Sequence, residues 1–280
     1  MAKPPGKRTW PNGMPRRIDS HFDRQLIARA APGVLPERLP IVHATASTPA
    51  KEIIRAKKLI TKRCPVFDSD LIYFFVLRPA YRSKFGDKPS HQMSRFPVTF
   101  ILKPEAVHDP RHVYPFDTGG AATGAFTKQA DKYVKLEDYA LSPTHAAATG
   151  HIGWAFSSLD AYFEGRLKDG IQDEIKPFED VVSGFVDVAR MGIEGSNDHD
   201  RRASTVELAA SHDVDLVGNV LLTIAPKQLL EDNDALKAEL DKVGGDIRVY
   251  DWQPNRAPDE FQKDILRISR EWYRKNGIMP

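Results

Sequence analysis

The sequence lacks the cysteine pairs and long apolar runs that define disulfide-bonded and membrane-spanning proteins. Cys64 is the only cysteine, so an intrachain disulfide is impossible. The longest apolar run of note, residues 71–77, has seven residues, whereas a membrane-spanning helix needs about twenty. Without a recognisable signal peptide, the single thiol points to a reducing, cytoplasmic setting with no membrane partner. The 280 residues are 41% apolar, which is enough for a substantial core and excludes collagen and wholesale disorder.

Several catalytic signatures are also missing. The chain has neither a glycine-rich phosphate loop ending in Gly-Lys-Ser/Thr nor a Gly-x-Gly-x-x-Gly fingerprint, which disfavours P-loop NTPases and Rossmann enzymes. It has no cysteine pair and no His-Glu-x-x-His, so we expect no metal. It has no Gly-x-Ser-x-Gly elbow for a nucleophilic serine.

Charge is nearly balanced, at 40 basic against 38 acidic residues, but it is unevenly distributed. Residues 1–17 carry five basic residues, four prolines and no acid, which predicts a flexible basic arm over 1–20 followed by a single domain over 21–280. A second basic cluster, residues 51–63, is opposed within its own segment only by Glu52. Both segments fit contact with phosphates, and both fit an ordinary solvated surface equally well.

Apolar patterning predicts an α+β protein, because strands and helices do not alternate strictly and no repeat is visible. The apolar residues within 108–149 show only weak periodicity, which is typical of a long insertion that is functional or mobile. Predicted strands lie near 39–43, 71–77, 96–102, 181–191, 217–225 and 248–252, with 71–77 central and buried on both faces. One helix is predicted from a Thr48 cap through Ile60, a second from a Ser158 cap to about 167, and a third through 236–240. A last helix is predicted to start at Pro258.

Three spaced elements could carry chemistry. His43-Ala44-Thr45 stands at a strand end before a helix, and Arg78-Pro79 ends the aromatic strand. Glu207 is an acid in a β-branched segment, which is unusual for a buried strand unless the acid is paired or functional. Taken singly, these residues are better interpreted as a turn histidine, a surface arginine and an edge-strand charge than as functional residues.

Together, the three elements resemble the ADP-ribosyltransferase superfamily, and within it the DarT-like toxins that modify nucleic-acid bases. The segment Phe74-Phe75-Val76-Leu77-Arg78-Pro79-Ala80 is similar to that group's aromatic-Tyr-Phe-x-x-Arg-x-Pro-Met motif, without the closing Met. The segment Ile41 to Ile54 is similar to the group's NAD-binding start. The resemblance covers about 40–230 and implies split mixed and antiparallel β-sheets with flanking helices.

The resemblance also implies an enzyme that uses NAD as co-substrate, with Glu207 and Arg78 as its catalytic residues. Cleavage of the nicotinamide–ribose bond passes through an oxocarbenium-like state, which Glu207 would stabilise before helping to deprotonate the acceptor. Arg78 would pair with the pyrophosphate. The cofactor-binding residues implied are His43, Ala44 and Thr45 around the ribose, with Tyr73 or Tyr81, or Phe85, as an aromatic face for the nicotinamide.

The segment before Glu207 is where such enzymes select their acceptors. Arginine-modifying relatives carry Glu or Gln two positions before the catalytic Glu, and Thr205 stands there in this chain, which disfavours a protein-arginine acceptor. The candidate acceptor-binding residues, which could equally form a solvated loop, are Asn197, His199, Arg201 and Arg202.

The function expected from the resemblance is therefore transfer of ADP-ribose from NAD to a DNA or RNA base by a toxin or anti-phage effector, with an antitoxin protein as a possible partner. Three alternatives stay open at this stage. The first is NAD hydrolysis without an acceptor, and the second is a catalytically silent basic nucleic-acid-binding module. The third, ranked lower because its full arginine set is not found, is an RNA 2′-phosphotransferase.

Overall fold

The structure is a computed structural model that describes residues 14, 24–30, 35–80, 88–130, 134–193 and 200–280. Its strands are β1 (Ile41–Ala46), β2 (Lys58–Leu59), β3 (Lys62–Cys64), β4 (Ser69–Val76), β5 (Pro97–Leu102), β6 (His112–Tyr114), β7 (Glu207–Ala210), β8 (Val214–Asp215), β9 (Val220–Pro226) and β10 (Asp246–Tyr250). Its α-helices are α1 (Gln25–Arg29), α2 (Ser47–Ala56), α3 (Thr118–Ala122), α4 (His145–Ala155), α5 (Leu159–Glu164), α6 (Asp180–Ala189), α7 (Lys227–Glu231), α8 (Asp234–Val243) and α9 (Gln262–Lys275). Short 3-10 turns, among them Arg190–Gly192 and Arg201–Ser204, connect some of these elements.

One large mixed sheet organises the described residues. Its strand order is β10-β9-β5-β1-β4-β7-β6, and β3 pairs with the first residues of β4. The β9–β10 pair is parallel, while the other ladders of this sheet are antiparallel. Strands β2 and β8 form a separate two-stranded antiparallel sheet. The α+β prediction with mixed sheets and flanking helices is thereby confirmed.

The sheet opens between β1 and β4. Their ladder has only two residue pairs, Ile41 with Val76 and Val42 with Phe75, although β1 continues to Ala46 and pairs with β5 along its whole length. On the other side, β4 pairs with β7 over 72–75. The last residues of β1 are therefore not paired with β4, and we call the gap between these two strand ends, beside the candidate residues of the Ile41 to Ile54 segment, the cleft.

Strand β4 is central, as predicted, but it is not buried on both faces. Ile72, Phe74 and Val76 are buried, whereas Tyr73 and Phe75 are half-buried. Successive side chains of a strand point to opposite faces, so one face of β4 joins the core and the other faces the candidate site. The continuous apolar run concealed this alternation, because large aromatic residues occupy the half-open face as well.

The strand predicted over 181–191 is wrong, because this segment forms helix α6. The less buried residues in it, Ser183, Asp187 and Arg190, recur at spacings of four and three, and Arg190 donates a hydrogen bond to Asp187. This spacing places them on one stripe of a helix, while the apolar residues surround the rest. The β-branched residues suggested a strand, but packing against α1 and other elements overrides that weak propensity.

The helix after β1 also starts and ends differently from the prediction. Its N-cap is Ala46, and Ser47 is already the first residue of the helix. The Ser47 hydroxyl donates to the carbonyl oxygen of Phe96 at 2.8 Å. The predicted Thr48 cap is therefore wrong. The helix ends at Ala56, and Ile60, expected on its apolar face, is 55% exposed.

The terminal segments pack onto this framework. Helix α9 confirms the predicted C-terminal helix, with Ile265, Ile268 and Trp272 buried on one face, but it begins at Gln262, because Pro258–Phe261 form a 3-10 turn instead of its first α-helical turn. Near the other terminus, Met14 is buried and its backbone N–H donates to the carbonyl oxygen of Ala121 in α3. The remaining residues of the predicted 1–20 arm lie outside the described residues, and the domain boundaries stay predictions. None of the helices in the described ranges combines the length and apolar character needed to cross a bilayer.

Candidate functional site

Glu207 is the first residue of β7 and lies between two strands. It is opposite Phe75 of β4 and Tyr114 of β6. Directly opposed residues of an antiparallel pair share a face, so the Glu207 side chain is on the half-open face of β4. Glu207 is nevertheless only 2% exposed. A buried acid at this position needs hydrogen-bond donors to offset the loss of water.

Thr118 supplies those donors. Its hydroxyl donates to Oε1 of Glu207 at 2.6 Å, and its backbone N–H donates to Oε2 at 3.3 Å. Thr118 begins α3, which is held at its start by the side chain of Asp117 accepting from the N–H of Gly119 at 2.9 Å. Burial and the nearby Asp117 carboxylate raise the pKa of Glu207 well above its ordinary value, and the Thr118 hydrogen bonds partly oppose this rise.

Arg202 connects the loop before Glu207 to the start of α3. Its Nη1 donates to Asp117 at 2.5 Å, while its Nε and Nη2 donate to the two oxygens of Asp200 at 3.0 and 2.8 Å. Burial alone would lower the pKa of Arg202, but the two carboxylates together outweigh it and raise the pKa above its ordinary value. The backbone N–H of Asp117 also donates to the carbonyl oxygen of Arg202 at 3.2 Å. The predicted acceptor-binding guanidinium is thus engaged in an ion-pair cluster within the protein.

Aromatic and sulfur-bearing side chains line the same face beside Glu207. The ring centroid of His112 lies 4.3 Å from that of Phe67 and 5.8 Å from that of Tyr73. His112 Nε2 is 3.8 Å from Oε1 of Glu207. The phenol oxygen of Tyr73 is 2.7 Å from Sγ of Cys64. Burial, followed by the charge of Glu207, raises the pKa of Tyr73, so its hydroxyl keeps its proton at neutral pH.

His43 lies where β1 and β4 separate. Its Nδ1 is 2.9 Å from the carbonyl oxygen of Tyr73, and because a carbonyl only accepts, Nδ1 carries the proton. Burial lowers the pKa of His43, and Lys62 contributes to the lowering. His43 is therefore neutral at pH 7, with Nε2 available as an acceptor. Ala44 and Thr45 follow it on β1 and are half-buried, and no described residue bonds the Thr45 hydroxyl.

Arg78 is completely buried just after β4. Its Nη1 donates to Oγ of Ser204 at 2.7 Å and its Nη2 to the carbonyl oxygen of Gly192 at 3.4 Å. Within the described ranges its Nε has no partner, and no carboxylate lies within ion-pair distance. Burial, with Arg201 nearby, lowers the pKa of Arg78 to about 9, so it stays charged at neutral pH. In this arrangement Arg78 contacts the segment that leads to Glu207, and its role toward a pyrophosphate stays a prediction.

The chain approaches Arg78 through an unusual backbone. Leu77 has a φ of 58°, which is rare for a residue with a branched side chain and recurs at functional sites. Its carbonyl oxygen accepts from the hydroxyl of Tyr273 in α9 at 2.7 Å. The hydroxyl of Tyr162 in α5 donates to Val76 O and accepts from Val206 N–H, which joins the end of β4 to the start of β7. These bonds hold Arg78 and Glu207 on one rigid frame.

The other predicted acceptor-side residues are only partly visible. Arg201 begins the 3-10 turn and is half-buried. Asn197 and His199 lie outside the described residues, as do Tyr81 and Phe85. The structure thus brings Glu207 and Tyr73 together on one face of the sheet. The Arg202 cluster is connected to Glu207 through Asp117 and Thr118, and His43 lies at the cleft.

The basic cluster over 51–63 is largely neutralised by acids from elsewhere in the chain. Besides the expected pair of Arg55 with Glu52, Lys57 pairs with Glu239 at 3.1 Å and Lys58 with Asp215 at 3.3 Å. Arg63 pairs with Asp68. These pairs leave less free positive charge than the sequence suggested, which weakens the case for this cluster as a phosphate-binding surface.

Sequence reasoning missed the residues that support Glu207. Thr118, Asp117 and His112 belong to the weakly periodic 108–149 segment, and none was a candidate. A signal was present, because Asp117-Thr118-Gly119-Gly120 has the polar cap residue that begins a helix. The cap could be found from sequence, but its contact with a residue 89 positions away could not. In the described part of the chain, no group of three or more His, Cys, Asp or Glu residues could hold a metal ion.

Comparisons with known proteins give a structural similarity. No protein-family model matches the chain, and a comparison with curated proteins found no match. Among solved structures, the chain is similar to DarT from Thermus sp. 2.9 in complex with carba-NAD+, at 12% identity and a TM-score of 0.35 over 77% of this chain and 97% of that one. It is also similar to the same protein in complex with NAD+, at 10% identity and a TM-score of 0.34 over 78% and 98%.

Proposed function

We propose that this protein is an NAD-dependent ADP-ribosyltransferase that transfers ADP-ribose to a nucleic-acid base, with Glu207 as its catalytic carboxyl group. The observation that carries the proposal is the environment of Glu207. It is a buried acid on the first residue of β7, held by two donors from Thr118, on the half-open face beside the cleft between β1 and β4. Such a carboxyl is expensive to bury and is oriented by its surroundings, as a catalytic acid or base must be.

The charge state of Glu207 suits a cationic substrate. Its raised pKa favours the protonated form in the free protein. The nicotinamide ring of NAD carries a positive charge, and a cation bound nearby favours ionisation of the carboxyl. The proton then leaves to solvent, and the carboxylate stabilises the positive charge that develops at the ribose as the bond to nicotinamide breaks. After attack by the base, the same carboxylate takes the proton that the base loses.

The residues around the cleft fit the rest of the substrate. Neutral His43 presents Nε2 as an acceptor, which suits a ribose hydroxyl, and the Thr45 hydroxyl stands two residues further along β1. Tyr73 offers a half-buried ring on the same face as Glu207. Ala44, between His43 and Thr45, allows a bound nucleotide to approach the β1 backbone closely because its side chain is small.

The acceptor side is the segment that precedes Glu207. Arg201 and Arg202, with Asn197 and His199, are the candidates for contact with a phosphate backbone. Arg202 would contact an acceptor only by exchanging a carboxylate partner for a phosphate, because its guanidinium is already bonded to Asp117 and Asp200. An antitoxin that blocks this face is part of the same proposal, as is action inside the cytoplasm.

The test is incubation of the purified protein with phosphate-labelled NAD and separate panels of single-stranded DNA, duplex DNA, RNA and proteins. We expect label on nucleic acid and release of nicotinamide. Glu207→Gln should reduce both by about a hundredfold or more, since it keeps the shape but not the charge. The matched control is Glu231→Gln, which neutralises an exposed glutamate of α7 and should leave both signals unchanged.

The outcomes separate the alternatives. Nicotinamide release that depends on Glu207 without label on any macromolecule would mean NAD hydrolysis. Binding of nucleic acid with a steep salt dependence, together with no NAD turnover and no NAD-dependent thermal shift, would mean a catalytically silent binding module. Equal turnover by wild type and Glu207→Gln would contradict the assignment of Glu207.

A further inference from the structure

We propose that Asp117 is a positioning residue for Glu207: its fixed negative charge sets the pH above which the Glu207 carboxyl ionises and the protein turns over NAD. This inference rests on the proposed function for its catalytic consequence. Asp117 itself needs no contact with substrate, because it acts through Glu207.

The geometry fixes Asp117 beside Glu207. Asp117 directly precedes Thr118, whose hydroxyl and N–H both bond the Glu207 carboxyl. Hydrogen bonds hold Asp117 in turn: its side chain accepts from Gly119 N–H and from Arg202, and its own N–H donates to the carbonyl oxygen of Arg202. The Asp117 side chain is only 12% exposed, so solvent screens its charge weakly.

The cation in the cluster does not cancel the charge of Asp117. Nη1 of Arg202 donates to Asp117, whereas Nε and Nη2 both donate to Asp200, so one guanidinium is shared by two carboxylates. In the described residues, no lysine or arginine lies within ion-pair distance of Glu207. Asp117 therefore remains a like charge next to a buried carboxyl, and such an arrangement keeps one of two acids protonated.

Other ionisable groups also face Glu207. His112 of β6 lies 3.8 Å from Oε1 and would favour the ionised carboxylate if it were protonated. Tyr73 of β4 faces it, with Cys64 of β3 bonded to the phenol. Burial raises the pKa of Glu207, the charge of Asp117 raises it further, and the two Thr118 hydrogen bonds lower it. Replacing Asp117 by a neutral residue should therefore lower the pKa of Glu207.

The experiment compares Asp117→Asn with Asp200→Asn. Each variant removes one carboxylate partner of Arg202, and asparagine keeps the capping ability of each position, but only Asp117 lies beside Glu207. The first readout is the pH profile of nicotinamide release. We expect the acid limb to move to lower pH by about one unit or more in Asp117→Asn, as removal of an adjacent like charge requires, and by clearly less in Asp200→Asn, which acts only by leaving Arg202 to pair with Asp117 alone.

The second readout needs no catalysis. Glutamate side-chain carboxyl signals of the ¹³C-labelled free protein are titrated by NMR, with Glu207→Gln identifying the relevant signal. The Glu207 midpoint should fall in Asp117→Asn and fall by clearly less in Asp200→Asn. If wild type shows no NAD turnover, the proposed function fails while this titration still decides the inference.

Two controls keep the result interpretable. Thermal unfolding checks that Asp117→Asn folds, and Asp117→Ser, which also provides a helix cap, replaces it if it does not. In His112→Gln the acid limb should persist, and its disappearance would assign the limb to His112 and overturn the proposal. Equal shifts in Asp117→Asn and Asp200→Asn, or no shift of the Glu207 signal in either variant, would overturn it as well.

Discussion

His151 should make the protein unstable at mildly acidic pH. It lies in α4 with no exposed surface, and within the described ranges neither ring nitrogen has a hydrogen-bond partner. Its ring centroid is 5.5 Å from that of Trp154 and 4.6 Å from that of Phe185. This apolar burial lowers the pKa of His151 from 6.5 to about 3. Protonation in the folded state is therefore strongly disfavoured.

The magnitude follows from proton linkage. Between pH 6.5 and 3 the unfolded chain binds a proton at His151 and the folded protein does not, so stability falls as the pH falls through this window. Near pH 7.5 the effect is absent because the imidazole is neutral in both states. At pH 5.0 these two pKa values correspond to a loss of about 2 kcal/mol in the free energy of unfolding.

The assay is urea unfolding of wild type and His151→Leu at pH 7.5 and 5.0. Any packing cost of leucine is the same at both pH values, so the difference between the two pH-dependent losses isolates His151. We expect the variant to lose about 2 kcal/mol less than wild type on acidification. His212→Gln, which removes an exposed histidine, is the control and should behave as wild type. An equal loss in wild type and His151→Leu would refute the reasoning.

Two further predictions concern the candidate site. Thr118→Val removes the hydroxyl that donates to Glu207 at 2.6 Å while keeping the shape of the side chain. Losing this buried bond should cost about 1–3 kcal/mol, and if the cost falls on the transition state, turnover drops roughly five- to 160-fold. Unchanged single-turnover rates would show that this bond does not orient the carboxyl. Gly165→Ala should destabilise the protein by about 1 kcal/mol or more, because the residue has a φ of 77° and a methyl group there would lie 2.7 Å from Gly192 O and 2.8 Å from Nη2 of Arg78. Urea unfolding measures this, and an unchanged midpoint would contradict the close packing.

Local patterns predicted those elements whose burial follows a simple period. Helix α9 has apolar residues at helical spacing, an acidic first turn and a basic last turn, so neighbours in sequence determined it. The same reasoning failed for α6, where residues that favour strands occupy a helix buried on most of its circumference. Propensity differs by fractions of a kcal/mol per residue, which the burial of a single large side chain exceeds.

The sequence by itself determined the α+β class and the three candidate positions, His43, Arg78 and Glu207, because residue type and local spacing carry that information. Only the tertiary structure decided what these residues contact. Thr118 reaches Glu207 across 89 positions, and Arg78 reaches Ser204 across 126. It also brought distant acids to the basic cluster over 51–63. The physical reason is that hydrogen bonds and ion pairs act over a few ångströms in space, and chain topology alone decides which distant residues come that close.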